Sequence, residues 1–197
     1  MKLRPILNHI VFKFKEDVDS KGYFNKSTDW GFELRGHADD SAKAPRWVTV
    51  IEVGPDCKDV KPGDDILVKP LMWSLRFKFE DEQMWRTDDT KIVAADTITS
   101  DVDRKQVHTF RAFGKSVIFL RMDVQKTTSE SGLAVLGKIA DFTAFGKVVE
   151  VGPEVDEELK GATVYFLDQN FFGYFEYRKA KFCYLQEDEI LAYEPKE

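Results

Sequence analysis

Adjacent carboxylates are the first residues in this chain that could do chemistry: Asp64-Asp65, Asp88-Asp89 and Glu187-Asp188-Glu189. Two carboxyls serve as general acid and base only when both face one substrate, and neighbours along a strand or turn point to opposite sides. All three groups read as solvated turns. Zinc takes paired Cys or His at short intervals. His9, His37, His108, Cys57 and Cys183 have no such spacing, so no metal is expected. "DVDSKG", Asp17 to Gly22, opens like a calcium loop but puts Lys21 at its fifth position and Thr28 where the bidentate Glu belongs. A nucleotide-binding Gly-x-Gly-x-x-Gly is missing, so neither an enzyme nor a cofactor is expected.

Binding remains, and binding often resides on loops carried by a rigid scaffold. Two long irregular stretches interrupt the chain, over 16–45 and 124–142. Loops of this length inside a small unit are uncommon unless functional or disordered. Each has small, polar flanks around a short apolar centre: Phe32-Glu33-Leu34 after Gly31, and Leu133-Ala134-Val135-Leu136 after Gly132. A polar tether carrying a few apolar residues suits a segment that orders on meeting a groove. The alternative is that Leu133, Val135 and Leu136 cap the unit's own core. The aromatic run "NFFGYFEY", Asn170 to Tyr177, has two readings as well, a binding platform or the packed face of a strand pair.

The elements that must carry these loops are strands, and they are written twice. "VTVIEVGPDCKDVKPGDDILV" from Val48 is matched at an offset of 98 by a stretch ending "KVVEVGPEVDEELKGATVYFL". Val53-Gly54-Pro55 lies over Val151-Gly152-Pro153, Gly63 over Gly161, and Ile92-Val93-Ala94 over Ile190-Leu191-Ala192. Upstream, Ile10-Val11-Phe12 lies over Val117-Ile118-Phe119, so the second copy lacks about nine residues between its first two strands. Gly54, Gly63, Gly152 and Gly161 are the turn glycines of this repeat. Alternation in "HIVFKFK", "LRFKFE" and "FEYRKAKFCYL" predicts strands. Five or six antiparallel strands per unit close most economically into a small barrel or sandwich. The expected organisation is all-β: one unit over 1–97, a polar linker over 98–113 with Phe110 and Phe113 packing on the second unit, and a second unit over 114–197.

With 197 residues, 43% of them hydrophobic, the chain can bury two small cores, and units of this size gain from partners. A net charge of −6, spread along the chain, is not a nucleic-acid surface. The opening "MKLRPILNHIVFKFKEDV" breaks its apolar residues with charges, unlike a signal peptide or membrane span, which predicts a cytoplasmic protein. Cys57 and Cys183 sit at non-equivalent places in the repeats and imply no disulfide framework, and "NKS" at Asn25 reads as a chance sequon.

The opening "KLRPILNHIVFKFKE" resembles the first strand of GroES-type co-chaperonins. Arg4-Pro5, Ile10-Val11-Phe12-Lys13 and Glu16 fit, with Asn8-His9 where the family has Asp-Arg. "VIEVGP", "KPGDDILV" and "EDEILAYE" resemble its Val-Gly turn, its Val-Gly-Asp strand entry and its closing strand, and "SGLAVLG" resembles the mobile-loop tripeptide. The resemblance covers most of both halves. It implies two tandem GroES-like irregular β-barrels in a homo-oligomer whose apolar loops cap a GroEL-type chaperonin ring, with Ala134-Val135-Leu136 in the favoured register after Leu133, and Phe32 and Leu34 their counterparts. It implies no cofactor, no nucleic acid, no membrane, and a host cytoplasm if the protein is phage-encoded. The short stretches from Gly54 to Gly63 and Gly152 to Gly161 leave no room for a roof hairpin, which is similar to the roofless phage-encoded members. The tandem resembles the double co-chaperonins of plastids, without a transit peptide. Zinc alcohol dehydrogenases share the barrel, but the chain lacks their ligands and their Gly-rich turn. The alternative is a phage virion structural or decoration protein that reuses the fold.

Overall fold

Strand β4 (Arg46–Val53) shows why the chain forms sheets. Val48 and Val50 are buried while Trp47, Thr49 and Ile51 face outward, the period of two that a pleated strand imposes on side chains. The computed structural model describes residues 3–16, 18, 24, 26–27, 33–34, 44–102, 105–122, 143–167 and 173–196. The chain divides into two compact units, Met1–Gly114 and Lys115–Glu197. Among the described residues no helix is long and apolar enough to cross a membrane.

The first unit contains β1 (His9–Phe14), β2 (Lys26–Ser27), β3 (Glu33–Leu34), β4, β5 (Asp65–Val68), β6 (Phe77–Phe79), β7 (Glu82–Asp88), β8 (Ile92–Val102) and β9 (Lys105–Ala112). Its main sheet is antiparallel in the order β6-β7-β1-β4-β5-β8-β9, and β2 pairs with β3 apart from it. Ile10, Phe12, Val48, Val50, Ile66 and Val68 form the centre of its core.

The second unit contains β10 (Ser116–Met122), β11 (Thr143–Val151), β12 (Thr163–Leu167), β13 (Tyr174–Tyr177), β14 (Ala180–Gln186) and β15 (Ile190–Glu194). Its order, β13-β14-β10-β11-β12-β15, repeats that of the first unit without β9. Val117, Phe119, Val148, Val164, Phe166 and Cys183 lie at the centre of its core.

The repeat extends to irregularities. The pairing of β1 with β4 slips between Val11 and Phe12, and that of β10 with β11 between the equivalent Ile118 and Phe119. A second slip falls between Leu67 and Val68 in one unit and between Tyr165 and Phe166 in the other. Such bulges bend a strand and raise its twist, so both copies curve at the same places.

Within the stretch expected to be a linker, 98–113, the residues up to Val102 and those from Lys105 to Ala112 are strand. Ile98 to Val102 extend β8, and β9 pairs with it from Ala94↔Ala112 through Thr99↔Val107 to Val102↔Lys105. A strand with one face to water carries polar residues at alternate positions, and that polarity is what reads as a linker. Phe113, expected on the second unit, packs against the first unit's core.

Candidate functional site

Each unit has its longest connection in one topological place, between β1 and β4 or between β10 and β11. Leu133, Ala134, Val135, Leu136 and Phe32 lie outside the described residues. Of the first loop's apolar centre, Glu33 and Leu34 belong to β3, whose backbone pairs with Ser27 and Lys26.

The first loop is also tied to its sheet. Phe24, paired with Val18 in an isolated bridge, meets Phe14 edge to face at 4.8 Å and Trp73 at 6.3 Å. Phe14 touches Trp73 at 5.1 Å and Trp85 at 4.8 Å. Arg46, buried to 4% exposure, lays its guanidinium 4.2 Å from the Phe24 ring centroid and holds Glu16 at 2.5 Å. Tilted aromatic pairs bring ring edges to ring faces, and a desolvated cation adds attraction for the π face. The second unit places Arg121, Ala144 and Cys183 where the first has Phe14, Arg46 and Trp85. Arg121 donates to the hydroxyl of Tyr174. These three residues cannot rebuild the aromatic clasp.

The turn glycines divide by cause. Gly63 and Gly161 have φ of +91° and +86°, left-handed backbone that glycine takes at least cost. Gly54 is needed for close approach: a Cβ there would lie 2.1 Å from the Leu7 carbonyl oxygen. Gly54 donates to the His9 carbonyl at 2.8 Å, as Gly152 donates to that of Ser116 at 2.8 Å.

The paired carboxylates act as caps and ties. Asp64 accepts from the Lys61 backbone at 3.0 Å, and Asp65 accepts from Thr49 at 2.7 Å and pairs with Lys15. Asp88 accepts from the Thr90 backbone at 3.1 Å and Asp89 from Asn8 at 2.6 Å. Glu189 accepts from the Gln186 backbone at 2.7 Å. Asp64 and Asp65 also line an open cleft of about 540 Å³ with Lys58, Lys61, Asp96 and Arg111. Arg111 there donates to the Asp59 carbonyl, a tie between β9 and the turn before β5.

Among the described residues no group of three or more His, Cys, Asp or Glu is placed to hold a metal ion. Both cysteines are free. Burial, and then the charge of Asp89, raise the Cys57 thiol above its ordinary range. Burial pushes Cys183 up to about 11. A thiol held protonated is a poor nucleophile. In the aromatic run, Phe175 is buried and stacks on Phe182 at 5.8 Å, while Tyr174 is exposed on the edge strand β13.

Among the described residues β15 pairs with β12 alone, an edge position not foreseen from sequence. β8 is covered by β9, and Val93 and Ala95 are 0% and 2% exposed. Their counterparts on β15, Leu191 and Tyr193, are 57% and 46% exposed. No protein-family model matches the chain, and no curated protein matches it significantly.

Proposed function

We propose that the protein is a co-chaperonin of the GroES type: two tandem GroES-like barrels that assemble into a homo-oligomer and cap a GroEL-type chaperonin ring, assisting folding without chemistry of their own. The observation that carries this reading is the asymmetry of the two loop roots within one repeated scaffold. The aromatic clasp of Phe14, Phe24, Trp73 and Arg46 ties the first loop to its sheet. Among the described residues of the second unit, Arg121 and Ala144, at the places of Phe14 and Arg46, offer no such tie. The segment with an uninterrupted apolar centre, Leu133 to Leu136, belongs to the unit whose described residues show no such clasp. Glu33 interrupts the first loop's triplet, and burying an unpaired carboxylate is costly. Docking therefore belongs to the second loop, and the first, with Phe32 and Leu34, is chiefly structural. The exposed apolar edge of β15 supports assembly, because an uncovered edge strand is a template for pairing.

Burying two or three of Leu133, Val135 and Leu136 would contribute about 1.5–3 kcal/mol each before ordering costs, and a multivalent cap multiplies weak sites. The test is electron microscopy of the protein mixed with GroEL-type rings and nucleotide, using wild type and Val135→Asp/Leu136→Asp. The expected result is capped rings with wild type, none with the folded double variant, and a smaller effect from Phe32→Asp/Leu34→Asp. Unfolding of the double variant would assign those residues to the core instead. A folded variant that leaves ring binding unchanged, or a wild type that never caps, would favour the virion structural or decoration protein.

A further inference from the structure

The two units differ most pointedly in charge at one place, the tip of the hairpin that carries each sheet's edge strand. In the first unit the turn joining β6 to β7 is Glu80-Asp81, with φ of 49° and 65°. In the second the turn joining β13 to β14 is Arg178-Lys179, with φ of 50° and 69°. These are equivalent positions of the repeat. Two-residue hairpins with left-handed backbone at both positions favour Asn-Gly or Gly-Gly. Here both copies instead keep a charged side chain at each position, and the sign is reversed.

The reversal continues along the strands. Lys78 stands over Glu176 and Gln83 over Lys181. Exposed Lys78, Glu80, Asp81 and Glu82 sum to −2, and exposed Glu176, Arg178, Lys179 and Lys181 sum to +2. Solubility alone would not require the charges of one hairpin to be inverted in its repeat.

A second feature lies beside the acidic tip. A hollow of about 460 Å³ has Ile51, Phe79 and Met84 in its walls together with Glu52, Glu80 and Glu82. Apolar walls combined with acids match the anatomy of arginine and lysine, whose aliphatic stems bury on apolar surface while the cation meets carboxylate. Arg178, exposed at the tip, has its guanidinium 5.7 Å from the Tyr177 ring centroid.

We propose that these hairpins are the two halves of one contact between copies of this chain: the Arg178-Lys179 tip of one copy docks at the acid-lined hollow beside Glu80-Asp81 of another. Because the halves differ, the contact is heterologous, joining second unit to first unit, and successive copies add in a defined polarity. It is independent of whether the assembly caps a chaperonin.

The test is sedimentation velocity of the full chain across a concentration series, at low and high salt. Three proteins are compared: wild type, Glu80→Lys/Asp81→Lys, and Arg178→Glu/Lys179→Glu. Wild type should associate, and less so as salt screens the contact. Each charge-reversed variant should need a concentration about tenfold higher for half-association, because like-charged tips then face each other. Mixed in equal amounts, the two variants should associate again, since one now carries two basic tips and the other two acidic ones. Arg178→Asn/Lys179→Gly, which suits the turn backbone, should also lose association while folding at least as well, which separates charge from folding. A monomeric wild type, variants that associate as wild type does, or a mixture that stays apart would each overturn the proposal. The last result is the one expected of tips that pair within a single chain.

Discussion

Replacing Gly54 by Ala should unfold the first unit at markedly lower denaturant. The added Cβ would stand 2.1 Å from the Leu7 carbonyl oxygen and 2.8 Å from that of Ile6. Both neighbours are backbone and cannot rotate away, so the segment before β1 has to retreat by about an ångström, a distance over which packed contacts and hydrogen bonds are lost. That displacement disrupts the Gly54 N–H bond to His9 at 2.8 Å and the Asp56 N–H bond to Leu7 at 3.1 Å. At about 0.5–1.5 kcal/mol per bond, plus groups left without partners, the loss is about 2–3 kcal/mol. Gly63→Ala is the control: nothing lies within 4 Å of its Cβ position, and only the φ of +91° is unfavourable. That costs about 1–2 kcal/mol. All four tryptophans, Trp30, Trp47, Trp73 and Trp85, fall in the first unit, so their emission during urea titration reports that unit alone. With a slope of about 1–3 kcal/mol per molar urea, Gly54→Ala should lower the midpoint by about 1–2 M. A midpoint unchanged from wild type, or a shift smaller than that of Gly63→Ala, would refute the close approach of the two segments.

A fragment ending at residue 97 should be less stable than one ending at 114 by about 3 kcal/mol or more. It loses the β8–β9 ladder, at roughly 1 kcal/mol per hydrogen bond, and uncovers Val93 and Ala95; tryptophan-detected urea unfolding of the two fragments checks this. Cys183 should make the second unit alkali-sensitive. Its folded pKa of about 11 lies above the ordinary 9.0, so the folded state holds the proton more tightly. The stability is intact below pH 9 and falls as the pH rises toward 11, by about 2–3 kcal/mol in total. Far-UV circular dichroism of urea unfolding at pH 8 and pH 10.5 should show a smaller drop for Cys183→Ala than for wild type. The raised hydroxyl of Tyr184, shifted by burial, is common to both proteins and cancels in the comparison.

Much of the fold was legible in the chain because both of its signals are local. Alternation of apolar and polar residues needs only neighbours, and it marked the strands in "HIVFKFK", "LRFKFE" and "FEYRKAKFCYL". The repeat then implied that whatever one half does the other does too, down to the slips at Phe12 and Phe119. Gly63 and Gly161 were legible for the same reason, since a left-handed turn is a property of a few adjacent residues.

What the tertiary structure decided depends on residues far apart in the chain. Lys105–Ala112 becomes a strand because β8 lies beside it and takes up its hydrogen bonds. A segment that is half polar has no way to announce that partner. Gly54 looks like a turn residue, but its role comes from Leu7, forty-seven positions away. The clasp of Phe14, Phe24, Trp73, Trp85 and Arg46 draws on three strands and two connections between strands. The same holds for β15: its sequence resembles that of β8, yet one edge is buried and the other open, because edge exposure is set by what packs alongside and not by the strand itself.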